Sequence, residues 1–234
     1  MDEVVKPRAL LIDFYGTLVE EDEEPIREVC RNIAQETAEK VLWKRIVHEW
    51  FEIFPRLCYE SFGENFQLER EIETRTIQTL LDRYAVDLNA RELVGGLYHH
   101  WERPLIFPEA EDVLAKCKVP VCIVSNVDND ALEKAMEFSG LYFDLIVTSE
   151  DCRSYKPRPE VFSKALEMLD AKSGEVIHVG DSLYGDIRGA REFAIPSLWI
   201  NRWDHDLSES DVYPDYVAPD LYGILDILNG KKPG

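Results

Sequence analysis

At 234 residues, 45% of them hydrophobic, the chain is long enough to bury a full core and fits one large domain or a domain carrying an insertion. Its 26 lysines and arginines stand against 46 aspartates and glutamates, for a formal charge of -20. The averaged field therefore repels nucleic acid and anionic membrane, most of the acidity reads as a solvated surface, and an anionic substrate needs local positive help. Five cysteines without a Cys-x-x-Cys pair exclude a disulfide framework or zinc knuckle and read as reduced structural thiols. The acidic N-terminus fails the signal-peptide pattern, and no segment approaches the ~18 apolar residues of a membrane span, so a soluble cytoplasmic protein is expected.

In chain order, the first element is a short apolar run, Arg8 to Ile12, which stops at Asp13 and turns at Gly16; it reads as a strand. From about Glu20 to about Pro108 no strand-like run occurs, and amphipathic stretches take over at Pro25 to Lys40, Val41 to Phe54, Glu69 to Tyr84 and Asn89 to Trp101. This helical insertion opens with the acid cluster Glu20 to Glu24 and Pro25 at a first helical position, and it closes near Pro104 and Pro108. Aliphatic runs return at Val119 to Val124, Asp144 to Thr148, Glu175 to Val179 and Ser197 to Ile200, as suits parallel strands covered on both faces. Helical spacing marks Glu109 to Lys118, Asn129 to Ser139, Pro159 to Leu169 and Tyr184 to Phe193. The alternation predicts an α/β doubly wound parallel sheet, with residues 1–19 and 106–234 as the core and residues 20–105 as an inserted helical cap. The tail Lys231 to Gly234 reads as frayed.

Ligands of an open parallel sheet bind outside the carboxyl ends of the strands, so the residues just after each run carry the functional information. The first run ends at Asp13, the second at Ser125-Asn126, the third leads to a loop holding Lys156, and the fourth ends at Gly180-Asp181 with Asp186 following. Each has an ordinary explanation alone, as a turn cap, a helix start or a surface lysine. Four such coincidences at four strand ends point to chemistry. Displacement at an anionic centre by a carboxylate needs this set: a nucleophile, a fixed cation in Lys156, hydrogen bonds from Ser125 and nearby amides, and two acids, Asp13 and Asp181, able to hold Mg2+.

These stretches resemble the motifs of the haloacid dehalogenase superfamily of hydrolases. Asp13-Phe14-Tyr15-Gly16-Thr17-Leu18 is similar to its first motif, Ser125-Asn126 to the second, Lys156 within Tyr155-Lys156-Pro157-Arg158-Pro159 to the third, and Gly180-Asp181-Ser182-Leu183-Tyr184-Gly185-Asp186 to the fourth. The resemblance implies Asp13 as nucleophile, Mg2+ held by Asp13, the backbone carbonyl of Tyr15 and Asp181 beside Asp186, and a helical cap between the first two motifs.

Tyr15 departs from the phosphatase pattern, in which that position is usually a second aspartate acting as general acid and base. A phenol is a poor base near neutrality, so ordinary phosphate esters should turn over slowly unless Tyr15, another acid or a good leaving group compensates. Tyrosine there resembles the 2-haloacid dehalogenases, which need no metal, whereas Asp181 and Asp186 resemble a phosphatase metal site. The leading expectation is a Mg2+-dependent hydrolase of a small phosphorylated compound. The alternatives are a metal-free 2-haloacid dehalogenase and a catalytically weak binding protein of the same fold. Arg45 is a possible counterpart of a dehalogenase cap arginine, with an exposed helical arginine as the simpler reading. His48, His99 and His100 show no ligand spacing and read as structural or solvent-facing.

Overall fold

The structure, a computed structural model, describes residues 6–20, 23–207 and 210–233. Residues 1–5 of the expected core, Glu21 and Asp22 of the acid cluster, and Gly234 of the tail lie outside the described residues. Strands β1 (Ala9–Ile12), β2 (Val121–Ser125), β3 (Leu145–Thr148), β4 (Val176–Gly180), β5 (Ser197–Ile200) and β6 (Tyr216–Ala218) form one parallel sheet in the order β3-β2-β1-β4-β5-β6. Side chains alternate between its faces. In β1, Leu10 and Ile12 join the larger core cluster while Ala9 and Leu11 join the one on the opposite face, and all four are buried. From β1 the chain winds outward through β2 and β3, then returns to β4 and winds the other way. The crevice of the doubly wound sheet thus lies between β1 and β4.

The first five strands fall where the sequence predicts them. β6 was not expected, because it is a three-residue edge strand whose Val217 is 40% exposed and so offers no apolar run.

Four helices stand between β1 and β2: α1 (Glu24–Glu36), α2 (Trp43–Glu60), α3 (Glu69–Tyr84) and α4 (Ala90–Trp101). Each buries residues at three- and four-residue spacing, as α1 does with Ile26, Val29, Cys30 and Ile33, and α3 with Ile72, Thr76, Ile77, Leu80 and Leu81. Each such buried aliphatic side chain contributes about 1.5–3 kcal/mol relative to exposure. Helix α2 runs six residues past the predicted end at Phe54, with Pro55 inside it. Proline removes one rung, the bond to the carbonyl of Phe51, but Phe51 is 41% exposed, so water can satisfy that carbonyl. Beyond it Leu57 and Cys58 are buried, which favours continuing the helix.

The core helices are α5 (Ala110–Lys116), α6 (Asn129–Ser139), α7 (Ser149–Cys152), α8 (Pro159–Met168), α9 (Gly189–Glu192) and α10 (Tyr222–Leu228). The predicted helix Tyr184 to Phe193 is instead a wide π-type turn, Leu183–Arg188, running into α9. The winding opens because the Ser182 carbonyl accepts from the amides of both Asp186 (2.9 Å) and Ile187 (3.1 Å). The Asp186 carboxylate meanwhile turns inward and accepts the Ser182 amide at 3.0 Å.

Several contacts tie the helical insert and its two junctions to the core, among them Tyr155 donating to the Gln67 carbonyl and Arg158 to the Tyr59 carbonyl. The amides of Glu69 and Arg70, which open α3, donate to the carboxylate of Asp128 in the loop after β2, at 2.7 and 3.1 Å. The Glu20 amide donates to Leu105 and the Phe107 amide to Leu18, so the chain enters and leaves the insert side by side. Arg202, after β5, stacks over the Phe107 ring at 3.5 Å, pairs with Glu109 at 2.6 Å and donates to the Thr17 carbonyl at 2.9 Å. All five cysteines are free thiols. No helix among the described residues is long and apolar enough to cross a membrane.

Candidate active site

The crevice between β1 and β4 gathers the acids. Asp13 follows the last residue of β1, and its amide bonds the Val179 carbonyl of β4 at 2.9 Å, so the sheet ladder itself fixes the carboxylate at the rim. Asp181 follows β4. Thr17, fully buried, donates its hydroxyl to the Asp181 carboxylate at 3.2 Å, and the Trp199 indole donates to the Asp181 carbonyl at 2.7 Å. Gly16 lets the two strand-end turns meet. Its φ is +75°, and a Cβ there would stand 2.4 Å from an Asp181 oxygen, so both conformation and space require glycine. One oxygen each of Asp13, Asp181 and Asp186 lie within 4.8 Å of one another.

Lys156 reaches into this cluster from the loop after β3. Its ammonium sits 2.8 Å from Asp13 and 2.6 Å from Asp186 and donates to the Val124 carbonyl at 2.8 Å. The Asn126 side chain holds that loop through both main-chain groups of Lys156, accepting from its amide (2.7 Å) and donating to its carbonyl (3.1 Å). Asp186 is completely buried and accepts from Lys156, from the Ser182 amide at 3.0 Å and from the His178 ring at 2.9 Å.

Charge balance follows from these contacts. Burial opposes ionisation of Asp186, yet the Lys156 charge and the His178 hydrogen bond hold its carboxyl well below the usual carboxylate range. Burial also opposes the charge on Lys156, and the two aspartates outweigh it, holding the ammonium above the ordinary lysine value. Asp13 is the strained partner: burial raises its carboxyl, Lys156 pulls it down, and the neighbouring charge of Asp186 pushes it up again. Lys156 is thus divided between Asp13 and Asp186 while Asp181 stands as a third carboxylate within 4.8 Å, so carboxylates outnumber the ammonium at this point.

Tyr15 points elsewhere. Its phenol donates to the Trp101 carbonyl at the end of α4 (3.1 Å), and its ring packs edge-on against Phe14. With Asn126 it forms the sheet side of a cleft of about 70 Å³, whose insert side is made by Trp50, Phe54, Tyr98 and Trp101. Glu73 of α3 also lines this cleft. It is 1% exposed, accepts the Trp50 indole proton at 3.1 Å, and burial pushes its carboxyl up to about 8. A larger opening of about 640 Å³ approaches Asp181 from the side of Gly16, Trp199 and Asn201.

The structure therefore brings Asp13, Lys156, Asp181 and Asp186 together, with Ser125 buried at the same rim as the last residue of β2, and turns the Tyr15 side chain toward the insert. It does not bring in Arg45, whose side chain is 69% exposed and paired with Glu49, nor His48, which is 75% exposed. His99 and His100 are exposed as well. Thr17, His178, Trp199 and Glu73 were not expected. A histidine inside the aliphatic run Val176-Ile177-His178-Val179 was a signal for one of them, since a strand buried on both faces accepts an imidazole only with a partner. Glu73 gave no such signal, because a glutamate in an amphipathic helix ordinarily faces water.

A doubly wound sheet with an acid-and-lysine cluster in its crevice defines an α/β enzyme. The chain belongs to the haloacid dehalogenase-like hydrolases, whose family model matches residues 7–193. Among its relatives, a glyceraldehyde 3-phosphate phosphatase of Pyrococcus furiosus is 34% identical, covering 96% of this chain and 94% of the relative. An (S)-2-haloacid dehalogenase 4A of Burkholderia cepacia is 27% identical, covering 83% of each. In fold, the L-2-haloacid dehalogenase RSc1362 superposes with a TM-score of 0.77 at 21% identity, over 96% of this chain and 99% of that one.

Proposed function

We propose that this hydrolase is a Mg2+-dependent phosphatase of a small phosphorylated compound, with residues 1–19 and 106–234 as its core and residues 20–105 as its cap. The observation that carries the reading is that carboxylates outnumber the ammonium around Asp13. Lys156 is already shared by Asp13 and Asp186, and Asp181 adds a third carboxylate within 4.8 Å. A dication answers that imbalance and keeps Asp13 ionised as a nucleophile, whereas a haloacid would bring a further carboxylate to the same rim. Asp13, Asp181 and the Tyr15 carbonyl are the groups to hold the ion. Asp186, whose oxygens already accept from Lys156, His178 and Ser182, acts chiefly by holding Lys156. The ion supplies positive charge to the phosphate oxygens.

Asp13 attacks phosphorus, the bond to the leaving oxygen breaks, and water then hydrolyses the aspartyl phosphate. Lys156 and the amides beside Ser125 bind the anionic oxygens. Tyr15 is not placed as the acid, since its proton is given to the Trp101 carbonyl. Tyr15 itself favours a second reading, metal-free dehalogenation, in which halide departs without a proton.

Phosphate release from acetyl phosphate and from 4-nitrophenyl phosphate, with and without EDTA, tests the first reading. Release abolished by EDTA and restored by Mg2+ is expected. Activity that survives chelation, or halide released from 2-chloropropionate, overturns it.

A further inference from the structure

Resting on the phosphatase reading, we propose that the helical insert positions the catalytic lysine, with Tyr155 and Arg158 as the positioning residues that carry its hold to Lys156. These two are the ends of one turn, Tyr155-Lys156-Pro157-Arg158, closed by the Arg158 amide donating to the Tyr155 carbonyl at 2.9 Å. Lys156 stands inside that turn, so the placing of the ends decides where its ammonium can reach. Both ends are held by main-chain carbonyls of the stretch that runs from the end of α2 to the start of α3. The Tyr155 phenol donates to the Gln67 carbonyl at 2.9 Å, and its ring, 1% exposed, stacks on Phe66 with centroids 5.3 Å apart and planes 25° from parallel. Arg158 donates through two nitrogens to the Tyr59 carbonyl, each at 3.0 Å, and its guanidinium lies over the Phe62 ring at 3.8 Å. A planar cation held by a ring face and a fork of donors is fixed in direction as well as distance.

Just before the turn the insert grips the same loop again: the Gly63 amide donates to the Arg153 carbonyl at 2.8 Å, and the Arg153 side chain donates back to the Gly63 carbonyl at 2.9 Å. The core contributes a different anchor, Asn126, which takes both main-chain groups of Lys156 itself. A single pinned residue can still swing about its anchor. Grips on the residues either side remove that freedom, and here they come from the insert. The chemistry leaves little room for such a swing, because the ammonium stands 2.8 Å from Asp13 and 2.6 Å from Asp186. A misplacement of about 1 Å at a catalytic group can cost on the order of 10²-fold in rate. The bonds of Tyr155 and Arg158 run to the insert and not to the aspartates, so their effect on the reaction passes through Lys156. Lifting the insert at this point pulls on the turn, and the nucleophile feels it as a change in the placing of its cation.

Phosphate release from acetyl phosphate in the presence of Mg2+ reads the effect. Arg158→Ala should lower kcat/KM tenfold or more, and Tyr155→Phe, which keeps the ring and loses only the bond to Gln67, threefold or more. The same Arg158→Ala change made in Lys156→Arg enzyme, which keeps a charge beside both aspartates but already misplaces it, should cost less than twofold, because a residue acting through Lys156 then has nothing left to aim. Wild-type rates in both single variants, or an equal loss in the two backgrounds, overturn the inference while leaving a phosphatase. Amide hydrogen exchange in Arg158→Ala is independent of turnover and decides the matter where Lys156→Arg is inactive or unfolded. Exchange at Lys156 should quicken tenfold or more while that at Asp13, bonded to β4, stays unchanged. No change at Lys156, or equal quickening at both, overturns the inference. If the wild-type protein releases phosphate from neither acetyl phosphate nor 4-nitrophenyl phosphate, the phosphatase reading fails, and the exchange result alone says whether the insert holds Lys156.

Discussion

Asp186 at the rim of the sheet and Glu73 in the wall of the insert are both buried carboxylates, and their surroundings treat them in opposite ways. At the rim, Asp186 is wholly buried yet ionised, because an ammonium, an imidazole and a main-chain amide converge on it. In the insert, Glu73 is as deeply buried with an indole proton as its hydrogen-bond donor, and it keeps its acid proton. Burial alone therefore says little about charge. What decides is how many donors the surrounding elements bring to the same point, and strand ends in a parallel sheet bring several.

The sharpest way to break this contrast is at the nucleophile. Asp13→Asn keeps the shape of the rim and removes the attacking oxygen, so turnover should fall by at least two orders of magnitude with the fold intact by circular dichroism. Residual activity above about one per cent would remove Asp13 from the role. Lys156→Ala should do more to stability than any other change at the rim. It strands two buried aspartates, and the expected loss is about 3–5 kcal/mol in urea unfolding. A loss under 1 kcal/mol would mean that Asp13 and Asp186 do not depend on it.

The insert should answer to pH instead. The Glu73 carboxyl ionises near 4.5 in an unfolded chain and only at about 8 when folded, so folding retains a proton across that window. Its contribution is fully present below the unfolded value and is lost as pH rises through 8, by up to roughly 5 kcal/mol. Glu73→Gln, which keeps an acceptor for the Trp50 indole, should flatten the fall. An unchanged pH profile in that variant would show that Glu73 ionises normally. Smallest is the clasp between the two regions. Asp128→Ala leaves the first amides of α3 without their acceptor and should cost about 1 kcal/mol. Faster amide exchange at Glu69 and Arg70 is the accompanying sign.

The same contrast explains what was legible in the sequence. Strands buried on both faces leave near-continuous apolar runs, so β1 to β5 could be read directly, and each acid at a strand end was readable because the sheet topology gives that position meaning. Edge strand β6 pairs on one side only, and with Val217 exposed it left no run to find. Pro55 reads locally as a stop, but the burial of Leu57 and Cys58 that carries α2 past it is tertiary. Glu73 is the plainest case. Its spacing from Thr76 and Ile77 fits an inward face, yet residue type argues for water, and only the packing of α2 against α3 decides between them.

Arg202 sets a boundary on how the two regions can part. By gripping the Thr17 carbonyl, the Phe107 ring and the Glu109 carboxylate at once, it rivets both crossings of the chain to the loop after β5. Residues 17 and 107 therefore travel with the sheet. Any swing of the helices must pivot beyond them, on the narrow neck where Val19 faces Ile106, and the geometry around Asp181 is insulated from it through Thr17.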